Sequence, residues 1–182
     1  MSAWIRSDAR QGRTRSGLGN SLRLLAATAA LALLNACATP SGPPAASALQ
    51  DRAVTASDAS RNQVVAVALA QVGTPYRFGG DTPRGFDCSG LARYAHGAAE
   101  IRIPRQTHVQ SEHARRVDIS RLKPGDLLFF RIDDDKPSHV SIYVGENRFV
   151  HAPSSGGHVH VERLDHPYWA PRLLHAGHFF AE

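Results

Sequence analysis

The chain has 182 residues, with 21 Lys+Arg against 16 Asp+Glu and two cysteines, a length that holds one ordinary domain. Its formal net charge of +5 is concentrated at the front: from Arg61 onward 15 basic residues face 13 acidic ones, a balance of +2. That leaves no basic stripe of the kind that binds nucleic acid, and two cysteines in unrelated settings exclude a disulfide framework.

Taken in order, the chain opens on Arg6, Arg10, Arg13, Arg15 and Arg23, followed by the apolar run Leu24 to Leu34. A basic segment followed by an apolar one is an export signal, and the run is far short of the roughly 20 residues that span a bilayer. Leu34-Asn35-Ala36-Cys37 resembles the bacterial lipobox, in which the cysteine is lipidated and becomes the new N-terminus. Residues 1–36 are therefore expected to be a lipoprotein signal peptide and Cys37 the lipidated residue. The expected location is the cell envelope, with a lipid anchor in the outer membrane facing the periplasm, since Ala38 rather than Asp follows the cysteine. From Cys37 to Ser60 the composition is mostly Ala, Ser, Pro and Thr, too poor in large apolar groups to offset chain entropy. It reads as a disordered tether.

The folded domain is expected over residues 61–182. Val65, Leu69 and Val72 recur at helical spacing between Asn62 and Val72, and Gly73-Thr74-Pro75 stops the run. A turn-rich stretch from Tyr76 to Gly85 cannot form regular structure, so a second helix must begin near Asp87 and Cys88 and run to about Ala99, with Leu91, Tyr94 and Ala95 inward. Ile101 to Pro104 is extended, and a short third helix covers Thr107 to Ala114. After Lys123-Pro124-Gly125-Asp126 the period becomes two. Leu127 to Arg131 reads as a central strand, and strands at His139 to Val144, Arg148 to Ala152, His158 to Arg163 and Leu173 to Phe180 make about five. Helices first and antiparallel strands afterwards give an α+β domain.

Cys88 stands at a helix start, whose free N–H groups and positive dipole end favour the thiolate; the alternative is an inert, small buried hydrophobe. Once Cys37 carries lipid, Cys88 has no partner in the chain, and a lone thiol in an oxidising compartment calls for a use. Two histidines answer it. A three-residue connection Gly145-Glu146-Asn147 would set Val144 opposite Arg148 and Ser141 opposite His151, placing His139 and His151 on one sheet face as diagonal neighbours within about 8 Å. Val140, Ile142 and Val144 then fill the other face. A helix-start cysteine with two such imidazoles suits a cysteine peptidase, with Cys88 as nucleophile, His139 as base and His151 as the group that orients it. Zinc held by the same three residues is the competing reading, but no fourth ligand follows at a recognisable spacing. His158 and His160 share a side of their strand with Glu162 and read as exposed polar positions.

Six runs in order then resemble the NlpC-type peptidoglycan endopeptidases: Gly73 to Gly80, Phe86-Asp87-Cys88-Ser89-Gly90-Leu91, Ile103-Pro104-Arg105, Leu122 to Leu127, His139 to Gly145 and Phe149-Val150-His151-Ala152. The resemblance implies a circularly permuted papain-like fold and a Cys88-His139-His151 triad. It also implies Tyr76 near the nucleophile as an oxyanion partner, and Asp87, Ser89 and Arg105 as substrate-binding positions, Arg105 being equally suited to a structural salt bridge. No metal and no cofactor are implied. The expected partners are peptidoglycan stem peptides and, through the lipid, a membrane; the protein is expected to be a monomer. The bond cut would be D-γ-glutamyl to diamino acid, or the D-alanyl to diaminopimelate cross-link. Two alternatives share this fold: a non-catalytic wall-binding or regulatory lipoprotein, and an acyl or amide transferase.

Overall fold

In the computed structural model the described residues are 45–132, 136–154 and 157–181, all within the second of two compact units, Ser41–Glu182. The expected signal peptide, Cys37 and residues 37–44 lie outside them.

The first helix, α1 (Ala45–Leu69), starts well upstream of the position expected from periodicity. Residues 45–60, read from composition as a disordered tether, are helical. Six of those sixteen residues are Ala, and neither Gly nor Pro occurs between Ala45 and Leu69. Ala has the best helix propensity, and extending an existing helix adds one hydrogen bond per residue fixed, so a segment can be helical without burying anything itself. Residues 52–55 are accordingly exposed. The inward stripe is also one residue out of phase with the expectation. Arg61, Val64 and Ala68 are buried, whereas Leu69 and Val72 are exposed, because adjacent valines at 64 and 65 leave the phase undetermined and the small Ala68 lets the helix approach its neighbours. Arg61 Nη1 donates to Asp126 Oδ1 at 2.7 Å, and its guanidinium stacks over the Phe180 ring at 4.2 Å. These contacts tie α1 to the turn that enters the sheet.

A two-strand ladder, β1 (Asp81–Thr82) and β2 (Gly85–Phe86), organises part of the turn-rich stretch. Helix α2 (Cys88–Ala98) follows immediately, with Leu91, Ala92 and Ala95 buried, and then α3 (Thr107–His113). A Cβ at Gly90 would collide with the carbonyl oxygen of Gly80, so the first turn of α2 lies directly against the preceding turn, at a spacing only glycine permits.

The sheet has six antiparallel strands: β3 (Arg115–Val117), β4 (Leu127–Phe130), β5 (His139–Gly145), β6 (Arg148–His151), β7 (His160–Arg163) and β8 (Leu173–His178), in the order β3-β8-β4-β5-β6-β7. β3, whose sequence Arg-Arg-Val carries no apolar alternation, was not anticipated. All four residues of β4 are buried, as the unbroken apolar run requires of a strand covered on both faces. One face packs Phe129, Val140, Ile142 and Val150 against Leu91, Ala92 and Ala95 of α2 and Val64 and Ala68 of α1. The other packs Leu128, Phe130, Phe149 and Ala176 against Trp169 and Leu164.

The β5–β6 hairpin reaches the expected parity by a different route. Ile142 faces Val150 and Tyr143 faces Phe149, but Gly145 faces Arg148, with an irregularity between Tyr143 and Gly145. The connection is thus the two residues Glu146 and Asn147, both at positive φ (51° and 56°), as the tight hairpin turn demands. A bulge at Val144 absorbs the extra residue. The two changes cancel, so His139 and His151 keep a common face.

Candidate active site

Helix α2 begins at Cys88 because Asp87 caps it. Asp87 Oδ1 accepts the Gly90 N–H at 2.6 Å, satisfying one of the helix's free donors. Arg105 closes on the same carboxylate, with Nη1 donating to Oδ1 at 2.9 Å and Nη2 to Oδ2 at 2.6 Å. Arg105 also donates to Ser89 Oγ at 2.9 Å and to Gly80 O at 3.3 Å. The Ser89 hydroxyl donates to Asp87 Oδ1 at 3.2 Å and the Gly79 N–H to Oδ2 at 3.0 Å. Asp87, Ser89 and Arg105, expected as substrate contacts, line the cleft that holds Cys88 and are also bonded to one another. They form the clamp that holds the helix start, the role the alternative reading of Arg105 allowed. Buried Gln110 on α3 extends it, its Nε2 donating to Pro104 O at 2.7 Å and Ser89 O at 3.1 Å.

Cys88 as a residue is half-buried, while its sulfur sits deeper. Sγ lies 3.5 Å from Thr107 Oγ1 at the start of α3. Burial pushes the thiol up, and hydrogen bonding from Thr107 and from the backbone amides of Val140 and Ser89 only partly opposes it. The expected resting thiolate is thus not what this environment favours: desolvation disfavours the charged form more than the helix start stabilises it. The Val140 amide, which helps to lower the thiol, follows His139 at the start of β5. β6 ends at His151, one pair short of Val140 in the register of the hairpin, so this amide is at the open end of the ladder.

Outside the sulfur lies a cleft of about 530 Å³ lined by Tyr76, Phe78, Cys88, Arg105, Thr107 and Ser138, among others. Tyr76 is in the same cleft as Cys88, as expected, and burial together with the charges of Cys88 and Asp87 pushes its phenol up. Phe78 is 90% exposed at the rim. A larger groove, about 720 Å³, runs along the outer side of α2 past Arg93, Tyr94, Ile101 and Ile103 and contains no nucleophile.

His139 begins β5 and His151 ends β6, so both rings sit at the end of the sheet where α2 begins. They are only 6% and 1% exposed. His139 Nε2 and His151 Nδ1 are 3.0 Å apart. The rings lie on the Trp169 side of the sheet, with the indole centroid 5.2 Å from His139 and 4.9 Å from His151. Desolvation lowers His139 to about 4, and desolvation followed by the charges of His139 and His160 lowers His151 to about 2. Both are neutral at pH 7. Neither lines the cleft directly; Pro137 and Ser138, which do, lead the chain into His139.

His160, read from the sequence as an exposed polar position, is half-buried and belongs to this group. Its Nε2 is 3.1 Å from His151 Nε2, and its Nδ1 is 2.9 Å from the His158 carbonyl oxygen. The register pairs His151 with His160 across β6 and β7, a signal that strand parity could have supplied had β7 been given a partner. Among the described residues no group of three His, Cys, Asp or Glu side chains is arranged to hold a metal ion.

The model of the NlpC/P60 family matches residues 73–178. A murein DD-endopeptidase of Escherichia coli (MepH) is 42% identical over 106 residues, which cover 56% of this chain and 39% of that protein. A probable endopeptidase, the NlpC homologue of Haemophilus influenzae, is 45% identical over 100 residues, 54% of this chain and 52% of that protein. The chain thus spans between 39% and 52% of the length of these relatives. Among solved structures, the NlpC/p60 domain of the peptidoglycan hydrolase SagA superposes with a TM-score of 0.57 at 34% identity, covering 64% of this chain and 97% of that domain.

Proposed function

Since the chain belongs to the NlpC/P60 family, we propose that it is a cysteine endopeptidase that hydrolyses amide bonds in peptidoglycan stem peptides. The observation that carries the reading is the position of one cysteine: Cys88 stands at the start of α2 and lines a cleft, its sulfur lies 3.5 Å from Thr107 Oγ1, and Pro137 and Ser138, which lead into His139, line the same cleft. In this reading Cys88 is the nucleophile. Its proton passes to His139 Nδ1 as Sγ attacks the scissile carbonyl carbon, and His151 holds the ring through His139 Nε2. Because the resting pair is thiol and neutral imidazole, proton transfer accompanies attack rather than preceding it. The oxyanion is met by the Cys88 backbone N–H and the Tyr76 hydroxyl. The imidazolium returns the proton to the leaving amine, and water then hydrolyses the thioester with His139 again as base.

The bond is one of two. The Escherichia coli relative's name, a DD-endopeptidase, favours the D-alanyl to diaminopimelate cross-link; the other is D-γ-glutamyl to diamino acid. Mass spectrometry of muropeptides released from purified sacculi separates them. Cys88→Ala is expected to abolish release while leaving the circular-dichroism spectrum unchanged, and full activity in that variant would refute the mechanism. Export through residues 1–36 and lipidation of Cys37 belong to the same proposal, supported by the Arg-rich start, the apolar run and Leu34-Asn35-Ala36-Cys37. Cys37→Ser should move the protein from the membrane to the soluble fraction; retention in the membrane would rule out the anchor.

A further inference from the structure

We propose that His160 is a positioning residue that fixes which nitrogen of His139 is bare. The inference rests on the Cys88-His139 reading above and extends it by one member. The three imidazoles form a chain: His139 Nε2 to His151 Nδ1 at 3.0 Å, then His151 Nε2 to His160 Nε2 at 3.1 Å. A neutral imidazole has one donor and one acceptor nitrogen, so any one ring's tautomer sets the others. The chain ends on a group with no choice: His160 Nδ1 is 2.9 Å from the His158 carbonyl oxygen, which can only accept. His160 therefore carries its proton on Nδ1 and presents a bare Nε2. His151 must then donate from Nε2 and accept at Nδ1, and His139 must donate from Nε2. The lone pair of His139 is left on Nδ1, the nitrogen assigned to the Cys88 proton. The reversed arrangement would oppose two lone pairs at the His158 carbonyl.

The same logic makes the chain reversible. A proton added to His160 at Nε2 converts that nitrogen from acceptor to donor. His151 must then accept at Nε2 and carry its proton on Nδ1, which forces His139 Nε2 to accept and moves the His139 proton onto Nδ1. The base is then occupied, although His139 itself has gained no proton. The groups that face His160 are the His151 ring, 4.5 Å away between centroids, and the His158 ring at 5.9 Å, with Glu162 on the same side of its own strand. His160 is half-exposed, so it is the end of the three-ring chain that is open to solvent.

Two variants test this. His160→Gln can present an oxygen to His151 and its amide hydrogens to His158 O without titrating; His160→Leu offers no acceptor. Ring 15N spectra, recorded on the full chain in a Cys88→Ala background, should show His139 protonated on Nε2 alone in the parent and in the Gln variant, and a mixture in the Leu variant. With Cys88 present, Leu should lower kcat for fragment release about tenfold or more with KM unchanged. Gln should keep kcat and carry activity to lower pH than the parent. A single Nε2-protonated His139 in the Leu variant, or an acid limb unmoved in the Gln variant, would overturn the proposal; if Leu fails to fold, the acid limb of Gln decides alone. The spectra need no turnover, so they judge the tautomer even should Cys88 prove dispensable.

Discussion

The sharpest consequence of the site concerns the charge on its sulfur, and alkylation of Cys88 reads it. A helix-start cysteine beside an imidazole could rest as a thiolate–imidazolium pair, reacting at a rate nearly constant from pH 5 to 8. The structure points the other way: burial raises the thiol above its ordinary value of 9.0, while His139 is lowered to about 4. Both shifts favour the neutral pair. With the thiol raised above its ordinary value by burial, Cys88 rests overwhelmingly as the thiol at pH 7. The second-order rate with iodoacetamide should then rise about tenfold for each pH unit between 6 and 8. Peptide mapping of alkylated Cys88 separates it from Cys37. A flat rate across that range would refute the argument, and with it the claim that desolvation outweighs the helix dipole at this position.

Three further outcomes follow from neighbouring contacts. His96 and His139 are lowered to about 4 and His151 to about 2, each chiefly by burial, so below pH 6.5 the unfolded chain binds protons that the folded one excludes. Stability should fall by about 1.4 kcal/mol per pH unit for each independent buried histidine as pH drops from about 6.5 toward 4. Thermal melts between pH 4 and 8 measure this, and a melting temperature constant over that range would contradict it. Asp87→Ala removes a helix cap worth about 1 kcal/mol and takes the carboxylate from Arg105 and the Gly79 amide, adding about 2 kcal/mol. A denaturant titration should show about 3 kcal/mol lost, and a loss under 1 kcal/mol would mean the clamp is not structural. Trp169→Ala should cost about 3–5 kcal/mol and, by admitting water to His139 and His151, raise the pH at which those two rings take up protons. Ring 15N shifts followed against pH check this, and rings that take up protons no higher in pH than in the parent would show that the indole does not desolvate them.

Some of this was legible in the residues. Leu127 to Phe130 could be assigned to a doubly covered strand because an apolar run bounded by turn residues admits few other solutions, and Cys88 to a helix start because Gly79, Gly80, Pro83 and Gly85 forbid the helix from starting earlier. His139 and His151 were paired by parity alone. Parity survived an error in the loop because the bulge at Val144 and the two-residue turn shift the register by opposite amounts. Three things were not legible. Whether residues 45–60 are helical depends on an anchored helix downstream, which composition does not express. Arg105 and Asp87 look like free charges until the turn at Gly80 brings them to one helix end. The state of the sulfur depends on how deeply α2, α3 and β5 enclose it, and burial is a property of packing rather than of spacing.

That last point bears on how such a thiol persists. The thiolate is both the nucleophile and the form that oxidises, so a resting thiolate in an oxidising envelope would be lost between encounters with substrate. A protonated, half-buried Cys88 gives up resting nucleophilicity and is correspondingly protected. In the proposed mechanism attack depends on an event that shifts proton affinity toward the imidazole, and a scissile carbonyl seated against the Cys88 N–H and Tyr76 would supply it, because the sulfur would lose its proton as it gains a bond to carbon. A base whose lone pair is held on Nδ1 by a fixed hydrogen-bond chain can take that proton without reorganising. For this reason the proposed mechanism assigns the chain His139, His151, His160 and the carbonyl of His158 to the chemistry rather than to the surface, although solvent reaches its His160 and His158 end.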